Sequence, residues 1–124
     1  MLQTQKILII DDETALLKIL SRFLQKLEIR SETAETGREG LKIFKENPTS
    51  FSYAFIDYNL PELSAKQIIN EIKILNPEIK VVLSTGYSVD EIRKELEPLD
   101  FDGTLQKPFT FADLKNLLEK LKSD

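Results

Sequence analysis

The amino-acid sequence predicts an α/β fold in which a five-stranded parallel sheet is flanked by five helices. Short apolar runs alternate five times with segments whose apolar residues recur every three or four positions. The first run, ILII at residues 7–10, is apolar without interruption, which is typical of a strand covered on both faces. Strand and helix patterns that alternate at intervals of roughly 20–25 residues indicate strand–helix–strand units, and these favour a parallel sheet.

The first half of the chain contains two predicted strands and two predicted helices. The helix after residues 7–10 is indicated by apolar residues at helical spacing, which are Leu16, Leu20, Phe23, Leu24 and Leu27. A weak strand is predicted near residues 28–32. Gly37 then opens a short helix, and Asn47 and Pro48 close it because proline disfavours helical backbone at the residue before it.

The second half of the chain continues the alternation. The third strand, YAFI, ends on Asp57, and later strands are predicted at residues 79–83 and 103–106. The helices between these strands are indicated by Ile68, Ile69, Ile72, Leu75, Ile92 and Leu96. The last helix begins at Thr110, and Asp113 three residues later gives this start the form of a capping box.

Composition restricts the classes of function. The 124 residues suit one compact domain, and we expect a single domain over residues 1–124 without an attached output domain. No apolar run approaches the ~20 residues of a membrane helix and no signal peptide is evident, so a cytoplasmic location is expected. Cysteine and histidine are absent, which excludes disulfides and argues against structural zinc. Basic residues are scattered and the net charge is −4, so nucleic-acid binding is not expected.

Polar side chains stand at four of the predicted strand ends. They are Asp11, Asp12 and Glu13 after the first strand, Asp57 at the end of the third, Ser84, Thr85 and Gly86 after the fourth, and Lys107 after the fifth. Taken singly, they are ordinary helix caps, turn formers and solvated charges. In open parallel sheets, however, ligands bind beyond the carboxyl ends of the strands. Their convergence on one edge therefore favours a shared function.

The acidic residues at this edge restrict its chemistry. Clustered carboxylates repel one another, so they share a proton or bind a cation. With oxygen ligands alone, the fitting ion is Mg²⁺ or a similar hard metal. A carboxylate beside such a metal can attack a phosphoryl group, while a lysine and a hydroxyl bind the phosphoryl oxygens. The pattern therefore predicts phosphoryl transfer with Asp57 as the acceptor.

Four motifs occur in a fixed order and cover essentially the whole chain: DDE at residues 11–13, IDYNLP at 56–61, LSTGY at 83–87 and LQKPF at 105–109. This ordered set resembles the receiver domain of response regulators in two-component signalling, and LSTGY and LQKPF are more similar to receivers of hybrid sensor kinases. The resemblance implies the flavodoxin-like receiver fold with strand order 2-1-3-4-5. It also implies a phosphorylation-dependent switch that alters its partner-binding surface.

The resemblance implies Mg²⁺ as the cofactor and assigns its ligands. Asp12 and Asp57 are expected to bind the ion directly, and Asp11 through a water. Asn59 is expected to contribute its backbone carbonyl.

The resemblance also implies how the phosphoryl group is handled. Asp57 is the expected phosphoacceptor, Thr85 contacts the phosphoryl group and Lys107 forms an ion pair with it. The expected donor is a phosphohistidine of a sensor histidine kinase or a phosphotransfer domain, and the downstream protein partner is not indicated. The protein is expected to assist its own Mg²⁺-dependent phosphorylation and dephosphorylation rather than to act on other substrates. The Lys107–Pro108 peptide bond is expected to be cis.

Three residues depart from the family pattern. Ala65 and Gly86 replace a usual glycine and a common alanine, and Thr104 replaces a frequent aromatic residue. Thr104 is too small to fill the space that an aromatic ring would enter during switching. The loop at residues 84–88 is therefore the expected switching element, with Gly86 allowing backbone conformations that alanine would resist.

Three other classes of protein share parts of this sequence pattern. A haloacid-dehalogenase-like phosphatase would place a second aspartate at the position of Asn59. A flavodoxin-like flavin carrier would need a glycine- and hydroxyl-rich phosphate loop at residues 11–13, where acidic residues would repel a phosphate. A pseudo-receiver that only binds partners is disfavoured by the intact acidic set.

Overall fold

Strands and helices alternate along residues 6–122, the part of the chain that the computed structural model describes. The elements are β1 (Lys6–Ile10), α1 (Thr14–Lys26), β2 (Arg30–Ala34), α2 (Gly37–Glu46), a 3-10 turn (Pro48–Ser50), β3 (Tyr53–Asp57), α3 (Ala65–Leu75), β4 (Lys80–Thr85), α4 (Val89–Leu96), β5 (Gly103–Gln106) and α5 (Phe111–Lys122). None of the helices within this range is long and apolar enough to cross a membrane.

The five strands form one parallel sheet in the order β2-β1-β3-β4-β5, as the family resemblance implied. The strand order reverses beside β1, which lies between β2 and β3. The chain therefore leaves the ends of β1 and β3 in different directions and opens a crevice at their carboxyl ends. The predicted acidic residues stand at this crevice.

Two predicted strands have other bounds in the structure: the second, predicted near residues 28–32, is Arg30–Ala34, and the fourth, predicted at residues 79–83, is Lys80–Thr85. The second strand begins at Arg30 because α1 ends in a Schellman-type turn that occupies the first residues of the predicted strand. The Ile29 N–H donates to the Leu24 carbonyl at 2.9 Å, and Glu28 takes a left-handed backbone with φ 60°. The fourth strand was predicted to end at residue 83, but its hydrogen-bonded ladder with β5 continues to Thr85.

Apolar side chains cover both faces of the sheet, as the uninterrupted apolar runs predicted. One cluster packs beneath α1 and α5 and includes Ile7, Ile9, Tyr53, Phe55, Val82 and Leu105. The other packs beneath α2, α3 and α4 and includes Leu8, Ile10, Ala54, Ile56, Val81 and Leu83. Each fully buried Leu, Ile or Phe stabilises the fold by about 1.5–3 kcal/mol. The sheet is therefore a rigid base for the groups at its carboxyl edge.

Helix α2 packs closely against the end of β1. A Cβ built on Gly40 would lie 2.6 Å from Cγ1 of Ile10, so a larger residue at this helix position would force the Ile10 side chain or the helix to shift. Ile10 directly precedes Asp11, and this contact fixes the strand end that carries the acidic residues.

The predicted start of α5 is confirmed. The Thr110 backbone N–H donates to Asp113 Oδ2 at 2.9 Å, and the Asp113 N–H donates to Thr110 Oγ1 at 3.1 Å. These reciprocal bonds form a capping box with aspartate in place of glutamate. Similar capping boxes begin α3 at Ser64 and α4 at Ser88.

Candidate functional site

A row of side chains crosses the carboxyl edge of the sheet. Ile10 pairs with Ile56, so Asp11 stands beside Asp57. Asp57 in turn pairs with Ser84, and Ser84 pairs with Leu105. The parallel register therefore places a carboxylate on each side of the β1–β3 boundary.

Three carboxylates converge at this boundary, as the sequence predicted. One oxygen from each of Asp11, Asp12 and Asp57 lies within 4.8 Å of the other two. Asp11 and Asp57 are buried, with 1% and 5% of their surfaces exposed, whereas Asp12 is exposed. The Glu13 N–H donates to Asp11 Oδ1 at 2.9 Å, so Asp11 also holds the start of α1. The N-cap residue of α1 is Glu13, so the ordinary interpretation of Asp11 as the helix cap is wrong.

Lys107 supplies the positive charge of the site. Its Nζ lies 3.4 Å from Asp11 Oδ2, 3.5 Å from Asp57 Oδ1 and 3.3 Å from Glu13 Oε1. Its backbone N–H donates to the Thr85 carbonyl at 2.8 Å, and the Lys107–Pro108 bond is cis, as expected. Lys107 is therefore not an ordinary solvated lysine. The contact with Glu13 was not predicted.

Burial and charge shift the protonation equilibria of the site. Burial raises the pKa of the Asp57 carboxyl, and the neighbouring Asp11 carboxylate raises it further. The Asn59 backbone N–H and the Lys107 ammonium oppose this rise in the Asp57 pKa without cancelling it. Burial alone would lower the pKa of Lys107, but the charges of Asp11 and Asp57 outweigh it and the net shift is upward. Lys107 is thus held in its cationic form.

Thr85 is buried at the end of β4, and the loop after it is shorter than expected. Thr85 Oγ1 accepts a hydrogen bond from the Tyr87 N–H at 2.9 Å, and Ser88 already caps α4. Gly86 has no left-handed backbone, and a Cβ built there would meet no atom within 4 Å. Alanine would therefore fit at this position in the present conformation, and the expectation that Gly86 allows other backbone conformations during switching stays a prediction.

The acidic cluster fits a hard divalent cation. The three converging groups are all carboxylates, and Asp11 Oδ2 is a buried oxygen that accepts no hydrogen bond and has the Lys107 ammonium as an ion-pair neighbour at 3.4 Å. Such oxygens are the ligands that Mg²⁺ prefers. Asn59 lies two residues after Asp57, and its backbone N–H donates to Asp57 Oδ1 at 3.2 Å. The metal-binding role of its carbonyl stays a prediction.

A second set of contacts joins the end of β3 to α4. The Tyr58 hydroxyl donates to a carboxylate oxygen of Glu95, and the Tyr58 ring meets the Tyr87 ring edge-on at 5.9 Å. Burial, followed by the hydrogen bond to Glu95, raises the pKa of Tyr58 to about 12. These residues line a cavity of about 410 Å³. Sequence reasoning missed this contact, for which the tyrosine beside Asp57 was the only local signal.

Comparison with known proteins agrees with this arrangement. The sequence matches the family described as the response regulator receiver domain over residues 7–119. It is 32% identical over 114 residues to the transcriptional regulatory protein ZraR of Escherichia coli, which covers 92% of this chain and 25% of that protein. The chain spans 12% and 25% of the length of the curated relatives that it matches at 29% and 32% identity.

Solved structures share the fold. A response regulator receiver domain protein of Clostridium thermocellum superposes with a TM-score of 0.85 at 31% identity, covering 96% of this chain and 94% of that chain. The receiver domain of a sensor histidine kinase of Pseudomonas aeruginosa, solved with a magnesium ion in its active site cleft, superposes with a TM-score of 0.84. That comparison covers 98% of this chain and 100% of the other, at 18% identity.

Proposed function

The chain belongs to the response regulator receiver domain family, whose members are phosphorylation-dependent signalling switches, and we propose that Asp57 is its phosphoacceptor. The observation that carries this proposal is the position of Asp57. Its carboxylate lies at the end of the central strand beside Asp11, and the ammonium of Lys107 lies within 3.5 Å of both carboxylates. A buried carboxylate with a raised pKa and a cation beside it is a candidate nucleophile.

The transfer forms one bond and breaks another. An oxygen of the Asp57 carboxylate attacks the phosphorus of a phosphohistidine on the donor protein, and the P–N bond breaks as the O–P bond forms. The imidazole nitrogen keeps the electron pair and takes up a proton. The ammonium of Lys107, already held in its cationic form, forms an ion pair with one phosphoryl oxygen, where the negative charge now lies. The Thr85 hydroxyl donates a hydrogen bond to another phosphoryl oxygen.

Asp11, Asp12, Asp57 and the carbonyl of Asn59 would hold a Mg²⁺ ion. Bound there, Mg²⁺ neutralises charge on the carboxylates and the phosphoryl group. The protein of Pseudomonas aeruginosa binds magnesium in the corresponding cleft, which supports this assignment. The same groups would assist hydrolysis of the aspartyl phosphate, which returns the protein to its resting state.

The partners follow from the chemistry. The donor is a sensor histidine kinase or a phosphotransfer domain, and the output is a protein partner that distinguishes the two states. We propose a cytoplasmic location and no direct binding of nucleic acid.

The rival functions are less well supported. A haloacid-dehalogenase-like phosphatase needs a general acid two residues after its nucleophile, and this position holds the exposed amide Asn59. A flavin carrier needs donors for a phosphate where the structure holds the buried carboxylate of Asp11.

The proposal is tested by incubating the protein with Mg²⁺ and acetyl phosphate and measuring its intact mass. We expect one added phosphoryl group in the wild type and none in Asp57→Asn. Asp90→Asn, which changes an exposed aspartate on α4, is the matched control and should be phosphorylated like the wild type. Normal phosphorylation of Asp57→Asn would show that another residue is the acceptor.

A further inference from the structure

The ammonium of Lys107 has three carboxylate neighbours, and they differ in burial. Lys107 Nζ lies 3.4 Å from Asp11 Oδ2 and 3.5 Å from Asp57 Oδ1, and these two residues are 1% and 5% exposed. It also lies 3.3 Å from Glu13 Oε1, whose side chain is 65% exposed. Within residues 6–122, these three carboxylates are the ion-pair partners of Lys107. Glu13 is therefore the solvent-exposed member of the set.

The proposed metal site uses two of these three carboxylates. The groups that converge on it belong to Asp11, Asp12 and Asp57, and Glu13 is not among them. A divalent cation bound there neutralises Asp11 and Asp57 and repels the Lys107 ammonium, because like charges at this range raise the free energy. In the unphosphorylated protein with Mg²⁺ bound, Glu13 is then the carboxylate that remains to Lys107.

Phosphorylation of Asp57 brings a second anion to the same ammonium. A phosphoryl oxygen and the Glu13 carboxylate are both acceptors for the donors of Lys107. If the ammonium leaves Glu13, that ion pair is lost, and if it contacts both groups, the two anions repel each other across it. In either case the charge of Glu13 disfavours the phosphoryl group. Solvent around the exposed Glu13 weakens the effect to a few-fold change in affinity.

We propose that Glu13 is a positioning residue that holds the Lys107 ammonium in the unphosphorylated protein with Mg²⁺ bound and competes with the phosphoryl group for it. This proposal rests on the proposed function of Asp57 as the acceptor. Glu13 is the N-cap residue of α1, but its side chain makes no capping hydrogen bond, so the helix start does not depend on its carboxylate. The carboxylate thereby shifts the equilibrium toward the unphosphorylated state.

The first measurement is the dissociation constant of beryllofluoride, a phosphoryl mimic, in saturating Mg²⁺. For Glu13→Gln we expect this constant to fall roughly three- to five-fold, because glutamine keeps the size of the side chain and removes its charge. Glu35→Gln is the matched control, since it removes the same charge from an exposed residue directly after β2, at the same edge of the sheet. Glu35 is not an ion-pair partner of Lys107 in the described part of the chain, so its variant should bind the mimic like the wild type.

The second measurement separates the contact with Lys107 from the charge of Glu13 itself. Dissociation constants of Mg²⁺ are measured without the mimic for the wild type, Glu13→Gln, Lys107→Met and the double variant. Without Glu13, the ammonium has only the metal-binding carboxylates as partners and opposes the ion more strongly. Glu13→Gln should therefore weaken Mg²⁺ binding more in the wild-type background than in the Lys107→Met background, by roughly two-fold or more.

Each outcome decides the proposal. Unchanged or weaker binding of beryllofluoride by Glu13→Gln would overturn the competition, and an equal gain in Glu35→Gln would show an effect of net charge instead. An equal loss of Mg²⁺ affinity in the two backgrounds would show that Glu13 does not act through Lys107. If the wild type neither binds beryllofluoride nor accepts a phosphoryl group, the proposed function of Asp57 fails, while the Mg²⁺ constants still decide whether Glu13 holds Lys107.

Discussion

Replacing Asp57 by asparagine should stabilise the folded protein in the absence of metal, even though it removes the proposed acceptor. With an effective dielectric constant of about 20, two carboxylates within 4.8 Å of each other repel by at least about 3.5 kcal/mol. Asp57 experiences this repulsion from both Asp11 and Asp12. The attraction of Lys107 at 3.5 Å is about 4.7 kcal/mol, so repulsion exceeds attraction by about 2 kcal/mol. Solvent around the exposed Asp12 weakens its share, which leaves an expected gain of about 1–2 kcal/mol in the free energy of unfolding of Asp57→Asn.

The assay is urea unfolding at neutral pH in the presence of a metal chelator. A gain of this size moves the midpoint upward by about 0.5–1 M urea. Asp90→Asn, the exposed control, should instead lower the free energy of unfolding by about 0.3–1 kcal/mol, because it removes a favourable negative charge from the first turn of α4. Saturating Mg²⁺ should reduce or reverse the advantage of Asp57→Asn, because the cation neutralises the wild-type cluster.

The pH dependence of the free energy of unfolding tests the same prediction independently. Burial raises the pKa of Asp57 above its unfolded value of 3.8, so the folded state holds this proton more tightly than the unfolded chain. The advantage of Asp57→Asn is therefore full above the folded pKa and disappears as the pH falls through it toward 3.8. A lower free energy of unfolding for Asp57→Asn at neutral pH without metal would refute this account of the electrostatics.

Three further predictions concern packing, α4 and the switch. Gly40→Ala should lower the free energy of unfolding by about 1–3 kcal/mol in urea titrations, because its Cβ would overlap the buried side chain of Ile10. Tyr58 should titrate at about 12 by ultraviolet absorbance, and Glu95→Gln should lower this pKa; an unchanged pKa would contradict the contact. Beryllofluoride should protect residues 84–92 from hydrogen exchange, a response that Thr104→Ala keeps and Thr85→Ala weakens. The opposite pattern in the two threonine variants would overturn this switch.

Most of the fold could be predicted because its signals are local and repeated. Uninterrupted apolar runs indicated strands buried on both faces, and the spacing of strands and helices indicated parallel connections. The boundary of β2 could not be predicted, because it depends on Glu28 adopting a left-handed backbone that closes α1. Residues other than glycine rarely adopt this conformation, so the presence of a glutamate did not indicate it.

The candidate site was predictable to the extent that it follows from sheet geometry. Parallel strands bring their carboxyl ends to one edge, so Asp11, Asp57 and Lys107 had to meet there. The bond from Tyr58 to Glu95 joins residues of different elements through side chains, and no periodic pattern encodes such a contact. The ion pair of Glu13 with Lys107 is likewise visible only when the surroundings of both residues are known.

The central claim, that Asp57 accepts a phosphoryl group, is tested most directly by trapping the product. Aspartyl phosphates are reduced by borohydride to homoserine, and the modified residue is then located by peptide mass spectrometry. After incubation with Mg²⁺ and acetyl phosphate, we expect homoserine at position 57 in the wild type. Homoserine at Asp11, Asp12 or any other acidic position in place of 57, or none at all, would contradict the account.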